Sequence, residues 1–249
     1  MIENVKSEVY KLLVHDDSGH DMNHINRVLA LSLKFAKYEN ADEYITALIA
    51  LLHDVDDYKL FGLENEKYLI NAKNIMNKCN IEKDIQNKVC EEIRRIGYSK
   101  RLKGLTPITI EGKIVSDADM CDALGAVCIL RVLKYTTKMN KPFFDRNIFP
   151  IENMTADKYI KKSADTGICH FYEKILLLND LMLTSSGKEE AQERYNFVVK
   201  YLYQFFKEEN AEEWIEYTNK FLKKNKMKEK LWSIIINQLV FVHLIWNLI

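Results

Sequence analysis

The chain has three prolines and eight glycines in 249 residues. So few turn-formers argue against a sandwich or barrel of many short strands. Cysteine is sparse as well. Cys79, Cys90, Cys121, Cys128 and Cys169 make an odd set, and no C-x-x-C occurs. That argues against a disulfide framework and a cysteine-based zinc site, and it fits a reducing, cytoplasmic compartment. A charge surplus is also missing, with 36 basic and 36 acidic side chains. Nucleic-acid binding driven by bulk charge is therefore not expected, since phosphate neutralisation needs a basic surplus or a basic face. The N-terminal stretch MIENVKSEVYKLL carries acids and no long apolar run, so it is not read as a secretory signal.

Apolar residues, 47% of the chain against 29% charged, recur at helical spacing almost throughout. The expected fold class is all-α, with no strand. Helices are expected over 3–13, 20–38, 41–56, 64–79 and 82–96, with a loop over 97–108. The segment 41–56 is apolar on all sides, which predicts a buried central helix. Residues 110–138 form one long helix or two broken near Gly125. The stretch 139–158, with Pro142 and Pro150, is the longest irregular one and is expected to shape a pocket. Helices resume over 159–181 and 185–209.

Three segments follow from this reading: a domain over 1–209, an amphipathic and lysine-rich connector over 210–230, and an apolar segment over 231–249. In the last, LWSIIINQLVFVHLIWNLI, fourteen of nineteen residues are apolar and none is formally charged. Lys223, Lys224, Lys226, Lys228 and Lys230 precede it. One reading is a membrane anchor with a cytosolic basic flank. The other is a helix packed on the domain or on a partner, because Ser233, Asn237, His243 and Asn247 fall on one side at 100° per residue.

Chemistry concentrates in three places: His20 to Arg27, Leu51 to Asp57 and Ser116 to Ala123. Each lies on or at the end of a helix expected to be buried. Burying an unpaired charge costs several kcal/mol, so His53-Asp54 behind ITALIALL demands a counter-ion. A divalent cation meets that demand. A mixed imidazole and carboxylate set suits first-row ions better than calcium or a thiolate zinc site.

The ordered set His24, His53-Asp54 and Asp119 resembles the HD-domain metal-dependent phosphohydrolases. The likeness extends beyond these four residues. H-D-x-x-H-x-x-R-V (His20–Val28), L-L-H-D-V-D-D-Y-K (Leu51–Lys59) and K-I-V-S-D-A-D-x-x-D-A-L-G-A (Lys113–Ala126) resemble the small stand-alone HD hydrolases. So do H-F-Y-E-K-I-L (His170–Leu176) and G-K-x-x-A-x-x-R (Gly187–Arg194). The resemblance spans residues 8–208 and implies a compact multi-helix HD bundle, here with an additional apolar C-terminal helix.

The resemblance implies His24, His53, Asp54 and Asp119 as ligands of a divalent metal: Mn, Mg, Ni, Co or Fe. Asp119 is preferred over Asp117 because the family form is A-D-x-x-D-A, here Ala118 to Ala123. Residues two apart on a helix point about 200° apart, so both do not face one ion easily. Asp122 follows Asp119 on the same side and is placed to orient a ligand. No histidine lies between His53 and Asp119, which argues for one metal per chain.

The implied activity is hydrolysis of a nucleotide or other small phosphorylated metabolite by metal-activated water. Asp57 is the candidate water-orienting base, and Arg27 and Lys59 are candidate charge neutralisers at the reacting phosphate. His20, Lys113, His170, Lys174 and Arg194 are candidate substrate contacts. The alternative is a sensor or regulatory module that binds metal and ligand without turnover.

Overall fold

The computed structural model describes residues 1–14, 21–151 and 165–225. Every regular element among them is helical. Contacts divide the chain into two units, Met1–Val198 and Val199–Ile249.

The first unit opens with α1 (Ile2–Leu13), α2 (Met22–Glu39) and α3 (Glu43–Leu52). Asp42 starts α3 by accepting from the amides of Tyr44 and Ile45, as an N-cap residue does. All seven residues from Thr46 to Leu52 are buried. Helices α1, α2, α6 and α8 pack around α3, so the expected central helix is there. It ends at Leu52, short of Asp56, because the following acids start other helices. Asp57 accepts from the Lys59 amide and caps α4 (Tyr58–Tyr68). Asp56 accepts from the amides of Asn71 and Ala72 and so caps α5 (Ile70–Lys78).

The single helix expected over 64–79 is therefore two. Leu69 separates them in a left-handed conformation (φ 52°), and α4 is itself kinked at Gly62 (φ 85°). After α6 (Lys83–Ile93), the expected loop holds a short helix, α7 (Tyr98–Leu102), bounded by Gly97 and Gly104 at positive φ. The long segment 110–138 splits into α8 (Ile110–Asp122) and α9 (Ala126–Lys138), with Gly125 at φ 80° between them. Its break was legible because only glycine adopts such a backbone cheaply.

Next come α10 (Gly167–Glu173) and a 3₁₀ turn over Ile175–Leu181. The described part of the irregular stretch is pinned to α10: Gly167 donates to the Pro142 carbonyl, Ile168 to that of Phe143, and Ile151 to Glu173. Helix α11 (Ser185–Glu208) carries the chain into the second unit. There a last helix, α12, covers 212–225. Within that unit Phe206 and Trp214, both fully buried, stack at 5.3 Å between ring centroids.

The apolar segment 231–249 lies outside the described residues. Among the described residues, no helix is long and apolar enough to cross a membrane.

Candidate functional site

Helices α2, α3 and α8 pack on one another in pairs and bring three chain segments to one point. Asp21 caps α2 by accepting from the His24 amide, which fixes His24 in the first helical turn. His53 closes the C-terminus of α3 and Asp54 follows it. Asp119 lies in the last turn of α8. Near the C-terminus of α3, the helix dipole favours positive charge.

The side chains converge. His24 Nε2 is 3.2 Å from His53 Nε2, 3.2 Å from Asp54 Oδ2 and 3.6 Å from Asp119 Oδ1. His53 Nε2 lies 3.5 Å from Asp54 Oδ2 and 4.0 Å from Asp119 Oδ1. Each imidazole commits its other nitrogen elsewhere. His24 Nδ1–H donates to Asp122 Oδ2 at 2.7 Å, and His53 Nδ1–H to the Ala50 carbonyl at 2.8 Å. With the rings neutral, both Nε2 atoms present lone pairs, beside two carboxylate oxygens. Four such groups so close together repel one another unless positive charge, a proton or a metal ion, stands between them. Second bonds that fix the ring tautomer are the usual support of metal-binding histidines. The donor set thus fits a divalent ion with nitrogen and oxygen preference.

Where no metal ion is bound, the surrounding acids draw a proton onto His24 instead. Burial acts to lower the His24 pKa, but the hydrogen bonds to Asp122 and Asp54 overcome it and lift it to about 9. Burial acts to raise that of Asp122. The hydrogen bonds from His24 and Arg27, with Arg131 beside them, outweigh it and hold the carboxyl well below the usual range.

The cluster sits at a cavity of about 210 Å³. His53, Asp54 and Asp119 line it, as do Asp57, Lys59, Tyr98, Lys100, Arg131 and Lys174. Acids at the cluster and cations along the walls suit a small anion held against a metal.

The HD domain family matches residues 22–124, a span that includes His24, His53, Asp54 and Asp119. An HD-superfamily hydrolase of known structure from Bacillus thuringiensis is 31% identical, over 84% of this chain and 97% of its own, with a TM-score of 0.65. The chain belongs to the HD-domain family. A second structure, of a Lactobacillus plantarum protein, is 33% identical over 84% of the HD chain and 97% of its own, with a TM-score of 0.73. YpgQ of Bacillus subtilis is 29% identical over 210 residues, covering 83% of the HD chain and 92% of YpgQ. The structure of YpgQ in complex with ADP matches at a TM-score of 0.64, over 84% of the HD chain and 97% of that one.

HD domains bind divalent metals, and this one offers His24, His53 and Asp119 with ligand atoms all within 4.8 Å of one another. Asp54 completes the convergence through the contacts above. Asp117 faces the other way and is fully buried. It accepts from the amides of Leu183 and Thr184 and from the Thr184 hydroxyl, so its carboxylate organises the start of α11.

Asp57, Lys59 and Lys174 of the HD protein line the cavity. Arg27 does not belong to its wall. The Arg27 guanidinium donates through Nε and Nη2 to Asp122, at 2.5 and 3.0 Å, because that buried carboxylate lies one turn up the facing helix. Arg194 is also turned from the cavity, donating to Glu190 and to the Cys121 carbonyl. Lys113, near the start of α8, is absent from the cavity wall as well. His170 is not among the wall residues either. Burial, then the charges of Lys174 and Lys59, push its pKa down to about 3. His20 lies outside the described residues. No described residue of 139–151 lines the cavity.

The sequence motifs pass over part of the wall. Tyr98 and Lys100 come from α7, where a loop was expected, and the Lys174 ammonium lies 5.2 Å from the Tyr98 ring centroid. Two glycines flanking residues 98–103 are the one local signal. Arg131, on α9, carries no motif at all.

Proposed function

We propose that this HD protein is a divalent-metal-dependent phosphohydrolase acting on a nucleotide or another small phosphorylated metabolite. The observation that carries this reading is the meeting of four acceptors, two imidazole Nε2 and two carboxylates, at a cavity walled by cations. His24, His53, Asp54 and Asp119 would hold one ion per chain, with manganese a candidate. When bound, such an ion lowers the pKa of a water and polarises a phosphoryl oxygen.

The chain's own groups supply the rest. Lys59 and Lys174 on the cavity wall balance the negative charge of a phosphate. Asp57, also on the wall, orients the attacking water and takes its proton. One of its oxygens is tied to the Lys59 amide, which fixes the carboxylate in place. Tyr98 gives the cavity an aromatic face. The ADP held by YpgQ supports a nucleotide as the substrate class.

The test uses the full chain with manganese and a panel of nucleotides, following release of phosphate and pyrophosphate beside His53→Ala. Activity in the wild type that vanishes in a folded variant supports the proposal. Nucleotide binding with no release of either product from the metal-loaded wild type would instead indicate a sensor.

A further inference from the structure

We propose that Lys100 binds a phosphate of the substrate, and that Glu66 holds the Lys100 ammonium until substrate enters and then yields it. The inference rests on the phosphohydrolase reading and adds to it a pair of residues that no motif marks.

Lys100 stands on α7 and Glu66 on α4, and both line the cavity together with His53, Asp54 and Asp119. The Lys100 ammonium donates to Glu66 Oε1 at 2.5 Å. Among the described residues, each is the other's one side-chain partner. The backbone of Lys100 is well anchored. Its amide donates to the Gly97 carbonyl, and its own carbonyl accepts from the amides of Lys103 and Leu105. The ammonium rides above that anchor on a flexible four-carbon stem.

The pair is set up for exchange. The Lys100 side chain is 23% exposed and that of Glu66 30%. An ion pair with this much solvent contact contributes little to stability, so parting it is cheap. Glu66 already meets water, and its release leaves no buried charge behind. An ammonium carries three donors, of which Glu66 takes one. A phosphate brings more negative charge than one carboxylate and more acceptor oxygens, so it competes well for the same ammonium. Glu66 therefore acts against an anionic ligand twice, by repelling it and by occupying the cation that would receive it. A pair that merely braced α7 against α4 would have no such sign.

The experiment measures ADP binding to the manganese-saturated full-length protein by calorimetry. The variants are Lys100→Met, Glu66→Gln and the two combined, each checked for manganese stoichiometry and for its circular dichroism spectrum. Loss of a charge-assisted bond to phosphate weakens binding by about tenfold or more, so Lys100→Met is expected to show at least that loss. Glu66→Gln, which frees the ammonium and keeps the side-chain shape, is expected to bind ADP about two- to fivefold more tightly than wild type. It also tests the inference should the methionine variant not fold. The double variant is expected to match Lys100→Met within about twofold, because Glu66 has no ammonium left to withhold. Equal ADP affinity in Lys100→Met and wild type would overturn the inference. So would a Glu66→Gln affinity at or below that of wild type, which reduces the pair to a brace. A gain from Glu66→Gln that persists in full beside Lys100→Met would also overturn it, by leaving plain repulsion as the cause. Failure of the metal-loaded wild type to bind ADP would instead remove the nucleotide reading beneath it.

Discussion

Asp122 Oδ2 lies 2.7 Å from His24 Nδ1, and this one bond decides which nitrogen of the ring faces Asp54 and Asp119. Asp122 is three residues beyond Asp119, so one face of α8 carries both a cluster carboxylate and the group that orients its neighbour.

Asp122→Asn tests that relationship. The amide keeps the shape but loses the charge that His24, Arg27 and Arg131 all use. Loss of an orienting partner usually costs about 10- to 100-fold in metal affinity. Manganese titration by calorimetry should show a decrease of that size. An unchanged affinity would mean that His24 is oriented by its packing alone.

Asp117 and Asp119 are expected to separate cleanly. Asp119→Asn should weaken manganese binding while leaving thermal stability near that of the metal-free wild type. Asp117→Ala should bind manganese with normal stoichiometry but unfold at lower temperature. It orphans the amides of Leu183 and Thr184, at about 1–3 kcal/mol for each buried group left unpaired. Metal loss in Asp117→Ala without a fall in melting temperature would contradict this division.

His170 predicts an acid sensitivity. Its pKa falls from an ordinary 6.5 to about 3 in the folded protein, through burial and the nearby Lys174 and Lys59. Between those values the unfolded chain takes up a proton that the folded chain refuses. Proton uptake then favours unfolding, so this contribution to stability is intact above about pH 6.5 and is lost as pH falls toward 3. Urea denaturation of wild type and His170→Gln from pH 7 to pH 4 isolates it. The variant should lose less stability over that range, and parallel curves would refute the assignment.

Much of this fold was readable because its signals are local. The apolar run before His53 marked the buried helix, and the glycine at 125 marked the break between α8 and α9. The cluster was readable for a different reason. Buried His53, with Asp54 beside it, requires compensation, and the other acceptors stood in motifs on helices that pack against it. What escaped depends on tertiary contacts. Asp56 and Asp117 look like site acids in sequence but spend their oxygens on the amides of Asn71, Ala72, Leu183 and Thr184, many residues away. Arg27 stands one turn from His24, yet the nearest buried carboxylate draws it off the cavity. Arg131 reaches the wall across a helix break that no periodicity spans.

The short turn after His53 joins three helices through its acids, since Asp57 caps α4 and Asp56 caps α5. The position of Asp54 between them is therefore set by ordinary backbone capping, independently of any ion. An entering cation meets a preorganised socket and need not fold one around itself. Ion exchange at such a socket should be governed by dehydration of the ion, with little heat-capacity change, in contrast to small metallo-domains whose folding and metal uptake are a single event.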